Sequence, residues 1–224
     1  MTKIVACTRA VTDQEVSQLP IVKSFNDCLK STCELLLVRG NRQGLPASYN
    51  NAMNITPADW LVFVHDDVYI DDCRLTHKLD QAYDDHGFDI VGLAGCLNPA
   101  IKTHNLWHVM ADRKDLRGQV AHPVGTQGQI MTTPFGPTPS RVAMIDGLFM
   151  AVRLASVKAT GWKFNENYTF HHYDLSSCID ANKHKLKIGV YPINVIHSSP
   201  GLSSVENAVW KSSNERFLKE YNAR

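Results

Sequence analysis

The sequence predicts an α/β fold built on a wound, mixed and mostly parallel sheet, covered by helices on both faces. Two observations predict it. Over roughly the first hundred residues, short apolar runs alternate with segments of helical periodicity, the pattern of strands joined by crossover helices. The apolar runs are also continuous rather than alternating, as expected of strands buried on both sides. A length of 224 residues with 44% hydrophobic and 20% charged content suits one domain with a real core. Residues 1–224 are therefore read as a single domain interrupted by an insertion at 98–141.

Residues 3–8 form the first expected strand, and 13–30 carry a helical pattern broken at Pro20. Leu35, Leu36, Leu37 and Val38 mark a second strand at 34–38, ended by the turn cluster Arg39-Gly40-Asn41. A helix at 46–54 starts on Pro46 and stops before Pro57. The third strand, 60–64, runs directly into His65-Asp66-Asp67. Asp71 and Asp72 offer an N-cap to a helix with Leu75, Leu79 and Ala82 on one face, closed by Gly87. A fourth strand is expected at 89–97.

The insertion holds five prolines and Trp107, which lies between His104 and His108. A segment of this length in a compact domain is a lid, a binding loop or disorder, and Trp107, Val109 and Val120 are material for a small hairpin. Order resumes with a strand at 142–153 containing Asp146-Gly147, then a short helix ending at Gly161, a helix at 174–184 and a last strand at 187–197. A C-terminal helix over 203–222 opens on a Ser203/Glu206 capping box and carries a packing stripe of Trp210, Phe217 and Tyr221.

Composition removes several function classes. Lys plus Arg is 23 and Asp plus Glu is 22, so the +1 charge gives no reason to expect nucleic acid or an anionic membrane as partner. No basic start precedes an apolar signal core, and no run approaches the ~18 apolar residues of a spanning helix. Six scattered cysteines without a CxxC pair read as reduced core residues, so the cytosol is the expected compartment. GxGxxG, Walker and GxSxG motifs are absent, and His104 and His108 lack the HExxH context of a zinc hydrolase.

Ligands of wound sheets bind beyond the carboxyl ends of the strands. His65-Asp66-Asp67 occupies such an end. Two adjacent carboxylates there read either as a solvated turn or as a site for Mn²⁺ or Mg²⁺ with a diphosphate. His197, at another strand end, completes the metal site, contacts the diphosphate, or is an ordinary histidine. In Phe170-His171-His172-Tyr173-Asp174, the aspartate is an N-cap or a general base, and both histidines are acid–base candidates.

Several segments together resemble the family 2-like glycosyltransferases of GT-A (Rossmann-like) fold, nearest the small bacterial streptomycin-biosynthesis-type subgroup. They are Leu45-Pro46-Ala47-Ser48-Tyr49-Asn50-Asn51-Ala52; Trp60 to Val68 with His65-Asp66-Asp67; Val91-Gly92-Leu93-Ala94-Gly95; Asp146 to Arg153; Gly161 to Glu166; Phe170 to Leu175; and Gly189 to His197. The series spans nearly the whole chain in order.

The resemblance implies an inverting transfer of a sugar from a nucleotide-diphosphate donor to a hydroxyl of a glycan or small-molecule acceptor. Asp67 would bind the metal with His65 and His197. Asp66 would lie by the donor ribose or diphosphate, with Thr8, Arg9, Arg39 and Asn50 on the donor side. Trp107, Asp146, Gly147 and His172 would face the acceptor under a closing 98–141 lid, and Asp174 would be the base. The chain departs from the family pattern at four places. His65 stands where many relatives carry aspartate, Tyr173 replaces the glutamate of a Glu-Asp pair, Asp180 replaces arginine, and the second strand's end lacks an aspartate. The departures at Tyr173 and Asp180 motivate one alternative, a catalytically silent binding module; a third reading is a nucleotide-sugar hydrolase or nucleotidyltransferase.

Overall fold

A computed structural model describes residues 1–125, 128–199 and 207–221. The chain opens with β1 (Thr2–Cys7) and α1 (Asp13–Gln18). A capping box holds the start of α1: Glu15 N donates to Thr12 Oγ1, and the Glu15 carboxylate accepts from Thr12 N. α2 (Pro20–Ser24) starts on Pro20, so the proline that breaks the helical pattern begins a new helix. A π turn at Phe25–Leu29 leads into β2 (Cys33–Val38). α3 (Leu45–Ile55), β3 (Trp60–His65) and β4 (Val68–Ile70) follow. α4 (Leu75–His86) buries Leu75, Leu79 and Ala82 and ends on Gly87, as its spacing predicts. Its N-cap is Arg74 rather than an aspartate. Asp72 Oδ2 is drawn away by an ion pair with Lys78 and a bond from Asn194 N, and its Oδ1 accepts from Arg74 N.

Three segments expected as single strands each divide in two. Segment 89–97 becomes β5 (Ile90–Gly92) and β6 (Ala94–Cys96). The insertion contains a long hairpin, β7 (Leu116–Val124) with β8 (Gln129–Gly136), and then β9 (Ser140–Arg141). Val120 lies in that hairpin as expected, whereas Trp107 and Val109 lie in turns before it. Segment 142–153 becomes β10 (Met144–Ile145) and β11 (Phe149–Arg153), with Asp146-Gly147 between. α5 (Leu154–Thr160) and α6 (Tyr173–Lys183) precede the last division, β12 (Ile188–Val190) and β13 (Val195–His197). α7 (Ala208–Tyr221) buries Trp210, Phe217 and Tyr221. The Ser203/Glu206 capping box lies outside the described residues.

The divisions follow from the topology. The main sheet has the order β2-β1-β3-β11-β5-β12-β9, and a second sheet has β10-β6-β7-β13-β4 with β8 on β7. Each divided segment leaves one sheet and enters the other. Apolar runs buried in either sheet look alike in sequence, so the crossings are not visible there. The pairings of β1 with β2 and β3, and of β5 with β12, are parallel. Those of β11 with β3 and β5, and of β12 with β9, are antiparallel. The expected wound, mixed sheet is present, but its parallel majority is corrected: within the main sheet parallel and antiparallel pairings are equal in number. β11 enters between β3 and β5 from the insertion, without the crossover helix that a parallel partner needs.

The first strands carry the site. β1, β2 and β3 lie in parallel register, so Cys7 stands level with both Val38 and His65. Their carboxyl ends share one rim. The second sheet brings His197 to this rim by pairing it with Val68 across β13 and β4. Within the second sheet the paired strands β6 and β10 approach closely: a Cβ on Gly95 would lie 2.1 Å from Met144 O. Gly95→Ala is expected to lower stability by about 2–3 kcal/mol, read from the urea midpoint, because a backbone atom cannot yield as a side-chain tip would. An unchanged midpoint would mean that β6 and β10 do not approach so closely at Gly95.

Candidate active site

β3 ends at His65, whose N–H donates to Leu148 O, so the strand end is anchored to the turn after β10. Asp66 and Asp67 then turn the chain into β4. Ser198 N donates to Asp67 O, tying this turn to the end of β13. The result is a cluster. Ligand atoms of His65, Asp67 and His197 all lie within 4.8 Å of one another.

The protonation pattern suits a cation. Tyr173 Oη has one hydrogen and donates it to Gly147 O at 2.5 Å. Toward His65 Nε2, 3.2 Å away, the same oxygen can only accept. His65 therefore carries its proton on Nε2 and presents a bare Nδ1. Burial holds its pKa below the usual histidine range, opposed by the Asp67 charge. Asp67 Oδ1 is buried without a hydrogen-bond partner. His197 Nε2 lies 3.4 Å from it, near enough for ion pairing but not in hydrogen-bond geometry. Burial pulls the His197 pKa down, but Asp67 outweighs it and the net shift is upward. Burial likewise pushes Asp67 up, and His197 and His65 bring it to a net depression. An orphaned buried carboxylate oxygen beside two imidazoles is a donor set that a divalent cation fits.

His65 also lines a cavity of about 170 Å³ with Trp107, Asp146, Gly147, His172 and Asp174. Two carboxylates share the Asp146-Gly147-Leu148 turn. Gly147 N donates to Asp174 Oδ2 at 3.0 Å, and Leu148 N donates to Asp146 Oδ1 at 2.9 Å. Trp107 Nε1 donates to Asp146 Oδ2 at 2.6 Å, so the insertion is fastened to this turn. Gly147 admits the close approach: a Cβ there would lie 2.7 Å from Tyr173 Oη and 3.0 Å from Asp174 Cβ. Burial, and then the neighbouring Asp146 charge, push the Asp174 pKa up to about 7. A carboxylate so poised can exchange a proton near neutral pH.

α7 forms another wall through Trp210. Ser213 Oγ donates to His171 O, so it accepts from His172 Nδ1 at 2.9 Å. His172, with φ 63°, is buried, and burial pushes its pKa down to about 4. It lines the same cavity as His65 and Asp174, as a neutral ring bonded to α7 rather than as a mobile acid or base.

The residues that the resemblance places on the donor side separate into two groups. Thr8 is buried beyond β1, with Oγ1 accepting from Ala10 N and its carbonyl from Asn41 N. Arg9 is exposed beside it. Arg39 is also exposed and pairs with Asp13 at 2.6 Å. Asp66 is half-buried at the same rim, where its charge acts on Cys7. Asn50 is a correction. Its amide donates to Phe164 O and Glu166 Oε1 and accepts from Phe164 N, so it is buried and its polar atoms are committed to the turn after α5.

Sequence reasoning missed Tyr173, which appeared only as a departure, and Phe170, which is half-exposed and stacks on the His65 ring at 5.5 Å. Their shared partner His65 is more than a hundred positions away, so no local spacing signals either role.

Known structures share this arrangement of elements. The crystal structure of S. aureus TarS superimposes with a TM-score of 0.55 at 13% identity, covering 100% of this chain and 43% of TarS. S. aureus TarS 1-349 in complex with UDP-GlcNAc gives 0.52 at 12% identity, covering 92% and 61% respectively. The chain thus spans less than two thirds of either TarS structure, and the likeness establishes a GT-A-like fold. A197 from STIV gives 0.49 at 12% identity, covering 92% of this chain and 98% of A197. Among curated proteins no sequence matches. No helix among the described residues is long and apolar enough to cross a membrane. Residues 14–222 match the profile of a family described as "Glycosyltransferase like family", and the chain belongs to that family.

Proposed function

We propose that this chain is a cytosolic, metal-dependent, inverting hexosyltransferase, which moves a sugar from a nucleotide-diphosphate donor to an acceptor hydroxyl. One observation carries the reading: His65 belongs both to the His65-Asp67-His197 cluster and to the cavity that holds Asp174. Within the family, the Tyr49-Asn50 helix and the strand ending in His65-Asp66-Asp67-Val68 support the streptomycin-biosynthesis-type subgroup. The fold's occurrence in a TarS structure solved with UDP-GlcNAc supports a nucleotide-sugar donor.

His65 Nδ1, Asp67 and His197 would hold the cation. Two imidazoles beside one carboxylate favour Mn²⁺ over the oxygen-preferring Mg²⁺. When bound, the cation supplies positive charge to the leaving diphosphate. Thr8, Arg9, Arg39 and Asp66 border the donor, and Trp107, Asp146, Gly147 and His172 border the acceptor. The acceptor oxygen attacks the anomeric carbon, and the bond from that carbon to the phosphate oxygen breaks. Asp174 takes the hydroxyl proton, and the nucleoside diphosphate leaves with the electron pair. A single displacement with one base inverts the anomeric centre. Trp107 fastens the insertion to Asp146 and so helps exclude water from the reacting carbon.

A thermal-shift panel of UDP, GDP, dTDP and CMP with their sugars tests the donor site. A nucleotide at ~100 times its Kd stabilises by about 2.7 kcal/mol. The shift is expected with Mn²⁺, weaker with Mg²⁺ and absent in Asp67→Ala. No shift with any nucleotide would sink the donor reading. Free sugar as the product, with no acceptor glycosylated, would establish hydrolysis instead.

Asp174→Asn is expected to lower kcat by about 10²–10⁴ with little change in donor KM, and wild-type kcat/KM should fall as pH drops below about 7. Unchanged turnover would remove Asp174 as base, whereas wild type that binds a nucleotide sugar without ever turning it over would favour the silent-module reading.

The same variant has a stability signature. The folded-state pKa of Asp174 is raised from 3.8 to about 7, so the native state binds the extra proton within that window and stability falls as pH rises through it. Asp174→Asn should therefore raise Tm at pH 8, by about 1–3 kcal/mol equivalent, and change it little near pH 4. A variant less stable than wild type at pH 8 would contradict the burial of that charge.

A further inference from the structure

Among the histidines outside the cluster, His122 has the most direct connection to it. It lies on β7, inside the insertion, and its ring centroid is 5.7 Å from that of His197. His122 Nδ1 lies 3.1 Å from His197 O. A carbonyl can only accept, so Nδ1 carries a proton and donates it. The bond takes the place of one the strands cannot make. β13 and β7 pair in parallel at Ile196 and Ala121, but Pro123 has no N–H with which β7 could continue the ladder toward the end of β13. On the other side, Ser198 N already donates to Asp67 O. The last turn of β13 is thus held from both directions, by the Asp67 backbone and by the His122 imidazole.

We propose that His122 is a positioning residue for the cation site: its Nδ1–H fixes the backbone of His197, and so the insertion hairpin sets the affinity for metal. It is not itself a ligand, since its ring nitrogens are not part of the His65-Asp67-His197 cluster. The inference rests on the metal reading above. Groups that orient a ligand alter metal affinity by about 10–100-fold when removed.

The test uses Mn²⁺ alone, with no nucleotide or acceptor, and measures its dissociation constant by electron paramagnetic resonance of free Mn²⁺. His122→Phe keeps a ring without a donor. His122→Asn keeps a side-chain N–H at a similar distance from the backbone. His122→Phe is expected to weaken Mn²⁺ binding at least about tenfold, and His122→Asn to stay near wild type. Equal affinity in His122→Phe and wild type would overturn the proposal. Equal weakening in both variants would overturn it too, assigning the effect to ring packing. Wild type that fails to bind Mn²⁺ would instead overturn the metal reading, and this inference with it.

Discussion

The buried carboxylate oxygen of Asp67 is the constraint around which the strand ends are arranged. A charge out of water is expensive unless something answers it, and Asp67 Oδ1 has no hydrogen-bond donor. Two imidazoles converge on it, and neither settles the charge alone. His65 is kept neutral by burial and by a proton committed to Tyr173, while His197 is drawn toward its charged form by Asp67 itself. The chain folds this way because the parts come from elements held in place for other reasons. His65 ends a strand buried on both faces, and His197 ends a strand paired with the residues just after Asp67.

The second half of the site has the same logic with the opposite sign. Asp174 and Asp146 crowd one glycine turn, and each takes a backbone N–H from it. Those bonds stabilise the ionised forms, yet burial and the mutual charge dominate at Asp174. Such a carboxylate costs stability at neutral pH. Aromatic packing of Tyr49, Phe63, Phe164 and Tyr173 behind the turn supplies the rigidity that keeps it there.

Much of this was legible in the sequence, and the limits have identifiable causes. Strands at 34–38 and 60–64, the helix ending on Gly87 and the His65-Asp66-Asp67 strand end follow from apolar runs and local stop signals. The divided strands were not legible, because an apolar run does not record which of two sheets buries it. Asn50 was assigned to the donor on its motif, but its partners lie 114 and 116 positions away, where only tertiary structure brings them. Tyr173 read as the loss of an acidic residue. In the folded chain its hydroxyl fixes the tautomer of His65, which itself stands where an aspartate was expected. On the proposed metal reading the two departures compensate each other: an imidazole ligand needs an orienting partner that a carboxylate ligand would not.

On the proposed chemistry, this composition also couples the two substrates' sites. Asp66 and Asp67 stand at the rim, and Asp146 and Asp174 share the cavity with His65, while Arg39, on the proposed donor side, is bound to Asp13. An anionic diphosphate brought alone to this surface would meet carboxylates first. A cation at His65, Asp67 and His197 reverses that, so each ligand must raise the affinity of the other by the same factor. Positive charge in the same region also favours the ionised form of a neighbouring carboxyl group. Asp174, half-protonated near neutral pH in the empty protein, would become a full base as the site fills. The burial that makes the residue a liability in the free chain thus keeps proton abstraction weak until donor and cation are in place.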